Sequence, residues 1–345
     1  LYFSFLLFFL SGVSIPYSSN HSSSITYPAG YKLIKYQGRT ELRNDSIAAL
    51  ISSASSATMS FKGESCELLL KSEPDHHNYI NLELDGKYLG KFKIEHITTP
   101  IKVQVETTSE SHILKVFKAT EAASGSILFE GIKAEELVPL KETQKKTIEF
   151  IGNSITCGAL SDSSEMPCEK GAYLDHHNAY LAYGPQVARA LDVNFILSAV
   201  SGIGIYRNWN DEHIDEPIMP QVYENLYLNT DSTKPFPFLK QPDIVSICLG
   251  TNDMSGGDGQ KARLPFDPEK FTKNYIDFVK KIYSHYPTTK IVLLNSPMLS
   301  SEQNDTLLSC LKKVQNHFKD RDISLFQFEE SYFNGCSYHP STEEQ

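Results

Sequence analysis

The feature that most constrains this chain is a change of period at the polar string Lys141-Glu142-Thr143-Gln144-Lys145-Lys146. Before it, short and mostly alternating apolar runs are separated by turn residues. After it, strand-like runs alternate with helical ones, so one chain carries two architectures in series. In the first part, runs at 58–62, 66–70, 79–84, 101–105, 113–117 and 127–129 read as strands, and Asp85-Gly86 behind the third reads as a hairpin turn. No helical stretch interrupts them, which predicts an all-β, jelly-roll-like sandwich over 28–140. In the second part, strands are predicted at 147–151, 193–197, 244–249, 290–294 and 323–326. Helices fall between them. One covers 182–191; one is opened by Asp267-Pro268 and carries Phe271, Tyr275, Phe278, Val279 and Ile282 on one face; one carries Leu307, Leu308, Leu311, Val314 and Phe318. This predicts an α/β domain over 147–345, a parallel sheet flanked by helices, with functional groups at the carboxyl ends of its strands.

Charge narrows the partners. The 345 residues hold 32 Lys and Arg against 42 Asp and Glu, a formal charge of -10, with no basic block. Phosphate recognition needs clustered cations, so neither nucleic acid nor an anionic membrane surface is an expected partner. The apolar run from Leu1 to Leu10, followed by Ser11-Gly12-Val13-Ser14, reads as a secretory signal peptide over 1–14, too short to span a bilayer. It lacks an initiator Met and a basic segment, so the expectation is a leader clipped at its start and a secreted protein, extracellular or periplasmic. The six cysteines show no CxxC spacing, so no metal site is expected. Cys248, inside the apolar run 244–249, reads as a buried free thiol. Cys157 and Cys168 are near enough in sequence to pair, and the sequence leaves the pairing open.

Three predicted strand ends carry residues suited to acyl chemistry. Gly152-Asn153-Ser154-Ile155-Thr156 follows the first, Ser201-Gly202-Ile203-Gly204 the second and Gly250-Thr251-Asn252-Asp253 the third. A serine on a strand-to-helix turn is exposed for attack, and glycine lets backbone N–H groups approach an oxyanion. An asparagine amide adds a donor, and His339, beyond the last strand, can take the serine proton. Each element alone is commonplace; four in order, each at the expected place, point to one site.

This constellation resembles the SGNH (GDSL-like) hydrolase superfamily. The resemblance implies Ser154 as nucleophile, Gly202 and Asn252 as oxyanion donors together with the Ser154 N–H, and His339 as base. The Gly-x-Ser-x-Gly elbow of ordinary α/β-hydrolases is absent around Ser154. The N-terminal part, with Phe61-Lys62-Gly63, the Asp-Gly hairpin and Phe129-Glu130-Gly131, is similar to the jelly-roll domain of carbohydrate esterase family 2. So are Gly152-Asn153-Ser154-Ile155-Thr156-Cys157-Gly158 and Cys336-Ser337-Tyr338-His339-Pro340-Ser341. Two departures matter. The wider superfamily has Asp three residues before the histidine, where this chain has Cys336; family 2 lacks that Asp and orients the imidazole with a backbone carbonyl, expected here from the segment 334–337. The chain also ends at Gln345, where the family has a closing helix, so a truncated C-terminus is expected.

What the resemblance implies is a secreted carbohydrate O-acetyl esterase that deacetylates plant polysaccharides such as xylan and glucomannan through a Ser-His acyl-enzyme mechanism, without metal or organic cofactor. The insertion at 205–241 is a candidate cleft wall, with Tyr206, Arg207 and Trp209 as candidate sugar contacts. Competing readings are a lipase-like general acyl esterase and a non-catalytic carbohydrate-binding protein. Residues from 147 onward, with the missing C-terminus restored, are expected to keep some activity on a small acetyl ester without the β-domain but to lose more on polymer.

Overall fold

Alternation in the first part of the chain becomes two facing antiparallel sheets. The computed structural model describes residues 24–106, 109–141 and 143–345. The predicted leader, residues 1–14, lies outside the described residues. One sheet runs in the order Thr40–Asn44, Ile47–Leu50, Ile127–Ala134, Ser65–Ser72, Thr99–Gln104, with Ile25–Pro28 also paired to Ile127–Ala134. The other runs Glu136–Val138, Ser56–Lys62, His112–Lys118, Asn78–Leu84, Lys87–Ile94, with Lys35–Gln37 paired to Ser56–Lys62. Strict alternation along Ser65–Ser72 buries Cys66, Leu68 and Leu70 against Met59, Phe61, Ile80, Leu82, Leu114 and Val116. The Asp85-Gly86 turn forms as expected, both residues at positive φ (52° and 81°), joining Asn78–Leu84 to Lys87–Ile94. The latter strand was not foreseen, because its lysines and glycine mark it as an edge rather than an apolar run. The strand read at 127–129 continues to Ala134 through a bulge between Phe129 and Gly131. Gly131 has φ 136°, and a Cβ there would meet Tyr27 O at 2.3 Å, so only glycine lets the Ile25–Pro28 strand pair so closely.

The second part is the expected parallel sheet, ordered Asn194–Ala199, Thr147–Gly152, Ile244–Cys248, Lys290–Leu294, Ile323–Phe326. Helices Tyr183–Ala190, Pro268–His285 and Ser301–His317 cover it. Asp267 caps the second of these, its carboxylate accepting from the N–H groups of Glu269 and Lys270 at 3.0 Å each. The predicted apolar faces are buried, Phe271, Tyr275, Phe278, Val279 and Ile282 on one helix and Leu307, Leu308, Leu311 and Val314 on the other, but Phe318 falls just past the second helix, at its C-cap, and is only half-buried. The chain leaves Thr147–Gly152 toward one neighbour and then crosses to the other. That reversal leaves a crevice above the carboxyl ends of these three strands.

The two parts are joined by buried polar groups, which the sequence did not announce. Every residue of Asn78–Leu84 is buried, although alternation would turn Asn81 and Glu83 to water. The hydrolase-like part covers that face: the Tyr180 hydroxyl donates to Glu83 at 2.8 Å, and the Tyr88 and Tyr180 rings stack at 4.7 Å. Arg39, fully buried, reaches from the sandwich to Ser198 and to the carbonyls of Tyr223 and Asn225. Lys91 lies 3.3 Å from Asp162. Among the described residues, no helix is long and apolar enough to cross a membrane.

Candidate active site

Ser154 opens the short helix Ser154–Cys157 directly after the strand Thr147–Gly152, its turn capped by Asn153, whose side-chain oxygen accepts from Ile155 N–H at 3.1 Å. The Ser154 hydroxyl meets His339 Nε2 at 2.9 Å. His339 follows the turn Cys336–Tyr338, in which Ser337 and Tyr338 both take positive φ (49° and 61°). That left-handed backbone folds the Ser337 carbonyl back onto His339 Nδ1 at 3.2 Å. A carbonyl can only accept, so the proton sits on Nδ1 and Nε2 is left as acceptor for the Ser154 O–H. Burial lowers the pKa of His339 below its ordinary 6.5, against a counter-pull from the Ser337 and Cys336 carbonyls. Cys336 is bonded to Cys168, which resolves the pairing left open by the sequence, while Cys157, Cys248, Cys66 and Cys310 are buried free thiols. A disulfide sulfur offers the imidazole no acid, so the carbonyl is the orienting group in the 334–337 segment.

Gly202 and Asn252 stand at the two flanking strand ends and line the same cleft as Ser154 and His339. Gly202 has φ 76°, a left-handed conformation that glycine takes without strain. Its carbonyl accepts from Trp209 N–H at 2.8 Å, while among the described residues its own N–H and that of Ser154 have no acceptor. The Asn252 amide donates one hydrogen to Ile203 O at 2.8 Å and keeps a second for the cleft. Asp253, its neighbour, is fully buried and accepts from Ile205, Tyr206 and Arg207 N–H at 2.9, 2.8 and 3.3 Å. Burial pushes its carboxyl up to about 6 even though those N–H groups pull it down. Two unpaired backbone donors, an amide and a serine–imidazole pair thus converge where a tetrahedral oxyanion can be held.

The cleft holds about 900 Å³ and is also lined by Tyr173, Trp209, Met298 and Gln303. Of the three candidate sugar contacts, only Trp209 reaches it, 44% exposed. Tyr206 and Arg207 are corrected to structural roles: both are buried, Tyr206 accepting from Asp267 N–H at 3.1 Å and Arg207 donating to Asp253 O at 2.7 Å. Their neighbour in sequence gave no period by which to tell which aromatic faces outward. Sequence reasoning also missed Tyr173, which opens the single 3-10 turn Tyr173–His176 in a segment without motif, and Glu121, which comes from the sandwich; its Oε2 accepts from Ser201 N–H at 2.8 Å. Among the described residues no group of three or more His, Cys, Asp or Glu is placed to hold a metal.

The profile of the GDSL-like Lipase/Acylhydrolase family matches residues 150–322, and that described as Carbohydrate esterase 2 N-terminal matches residues 36–143. The chain belongs to the GDSL-like lipase/acylhydrolase family, as a serine carboxylic-ester hydrolase with the two-part build of family 2 carbohydrate esterases. Among its relatives, an acetylxylan esterase / glucomannan deacetylase of Cellvibrio japonicus is 29% identical over 296 residues, 82% of this chain and 78% of that protein. The cellulase/esterase CelE of Acetivibrio thermocellus is 27% identical over 317 residues, of which this chain spans 37% of the whole relative. A family two carbohydrate esterase from Clostridium thermocellum, solved in complex with cellohexaose, superposes with a TM-score of 0.77 at 25% identity, covering 90% of this chain and 94% of that one.

Proposed function

We propose that this carbohydrate esterase removes O-acetyl groups from plant polysaccharides such as xylan and glucomannan, with Ser154 as nucleophile and His339 as its base. The observation that carries the reading is the 2.9 Å contact between Ser154 Oγ and His339 Nε2, with the Ser337 carbonyl behind the ring. His339 accepts the Ser154 proton as Oγ attacks the acetyl carbonyl carbon, and the oxyanion is met by Ser154 N–H, Gly202 N–H and the Asn252 amide. The ring then hands the proton to the departing sugar oxygen. Water, deprotonated by the same nitrogen, hydrolyses the acetyl-enzyme and restores the hydroxyl. An acetyl group needs little room beside Ser154, while the open cleft accommodates a sugar chain and Trp209 offers a ring face for stacking. An oxidising, extracytoplasmic site of action is supported by the Cys168–Cys336 bond and by the apolar run at 1–14. The test is hydrolysis of 4-nitrophenyl acetate by wild type and Ser154→Ala, followed by NMR of acetylated xylan and glucomannan during digestion. Ser154→Ala is expected to be inactive while folded; more than a few per cent of wild-type kcat would refute the nucleophile. Faster turnover of long-chain than of acetyl esters would favour a lipase.

A further inference from the structure

The Ser201-Gly202 loop belongs to the hydrolase domain, yet its anchor comes from the sandwich. Glu121 follows the strand His112–Lys118 and is 2% exposed. Its Oε2 accepts from Ser201 N–H at 2.8 Å, and its Oε1 lies 3.5 Å from His177 Nε2. Its own backbone is held in turn, since Lys118 Nζ donates to the Glu121 carbonyl at 2.5 Å. Burial works to raise the pKa of Glu121, but the His177 ring and the Ser201 N–H outweigh it and keep the carboxyl below its usual range. A charged acceptor is therefore fixed at one backbone N–H of the loop. At the next residue, the Gly202 carbonyl is held by Trp209 N–H at 2.8 Å. The peptide between these anchors carries the Gly202 N–H, which has no acceptor among the described residues.

We infer that Glu121 is a positioning residue: from the β-domain it clamps the Ser201-Gly202 peptide so that the Gly202 N–H is held as a preorganised oxyanion donor. The inference rests on the Ser154–His339 reading above, and it makes the sandwich a part of the reaction centre rather than an appended module. Preorganisation matters because a donor that is already oriented needs no rearrangement as charge develops.

The experiment uses the full-length protein and two substrates, 4-nitrophenyl acetate and its thiono analogue, in which sulfur replaces the carbonyl oxygen. Sulfur accepts hydrogen bonds weakly, so the thiono ester is less sensitive to an oxyanion donor. A displaced donor costs up to about 10²-fold, so Glu121→Leu is expected to lower kcat on the oxygen ester by about 10–10²-fold, with KM nearly unchanged and a much smaller loss on the thiono ester. Glu121→Gln, whose amide oxygen still accepts from Ser201, should recover most of that loss. If Glu121→Leu does not fold, Glu121→Asp keeps the charge but withdraws the acceptor by one methylene, and the same selective loss is expected. Equal losses on both esters, or none, would overturn the role of Glu121. Activity remaining in Ser154→Ala would instead sink the underlying reading, so the two failures are distinguishable.

Discussion

Replacing Arg39 by Met tests whether the two domains are welded through their interior. Arg39 is fully buried, its guanidinium donating to Ser198 Oγ at 3.0 and 3.2 Å, to Tyr223 O at 2.9 Å and to Asn225 O at 2.5 Å, with the Phe236 ring centroid 4.1 Å away. Behind it, Glu149 on the strand Thr147–Gly152 accepts from Ser198 Oγ at 2.6 Å and from the Tyr223 hydroxyl at 3.0 Å. Burial raises the pKa of Glu149, and the charge of Arg39 is the first force opposing that rise. Methionine fills the arginine stem's volume but leaves two carbonyls without their donor and a buried carboxyl without its cation. Each buried acceptor left without its donor costs about 1–3 kcal/mol, against a total stability of about 5–15 kcal/mol for a typical domain. Urea unfolding followed by circular dichroism should show this loss. Arg39→Met combined with Glu149→Gln should be less destabilised than the sum of the single changes by about 1–3 kcal/mol, because the pair is coupled. A loss below about 1 kcal/mol for Arg39→Met, or strict additivity in the double variant, would refute the reasoning. The same arrangement reverses the expectation for the isolated hydrolase part. A fragment beginning at residue 147 would strand Glu149 without Arg39 and Ser201 without Glu121, so it should show neither cooperative unfolding nor turnover of a small acetyl ester.

Asn252→Ala should lower kcat by about 10²–10³-fold with a smaller change in KM, since its amide would act mainly in the transition state; an unchanged kcat would leave Asn252 as a turn residue. The acid limb of kcat/KM should fall below pH 6.5: burial lowers the pKa of His339, and the base works only when neutral, so activity rises as pH climbs through that lowered value. A midpoint above 6.5 would contradict it. Cys168→Ala and Cys336→Ala should behave alike, each losing stability up to a ceiling of about 5 kcal/mol for a loop this long. Either should keep kcat within several-fold, because Cys336 N–H still bonds Leu160 O at 2.8 Å and Thr342 N–H bonds Ser161 O at 3.0 Å. A kcat loss as deep as that of His339→Ala, or no response of wild-type stability to reductant, would count against this account.

Local signals carried much of this protein, because they depend only on neighbours along the chain. Alternation and turn dipeptides located the sandwich, and the 3.6-residue period located the helices. Ser154, Gly202 and Asn252 were legible because parallel strands all end on one edge of a sheet, so residues far apart in sequence must gather there. His339 was legible from its place after the last strand, while the expectation that a backbone carbonyl orients it came from the family resemblance, Cys336 standing where the wider superfamily has its acid. What stayed hidden depends on pairs with no local pattern. Ser201 takes its anchor from Glu121, Ser198 takes Arg39, and Cys168 pairs with Cys336. Asn81 and Glu83 stand in the solvent phase of an alternating strand, and only the docking of a second domain over that face buries them. In the same way Tyr206 and Trp209 are alike in sequence, and the fold alone sends one under the cleft and the other into it. Periodicity records which face of an element is apolar; which polar face will be covered, and by what, is settled only when elements distant in the chain pack together.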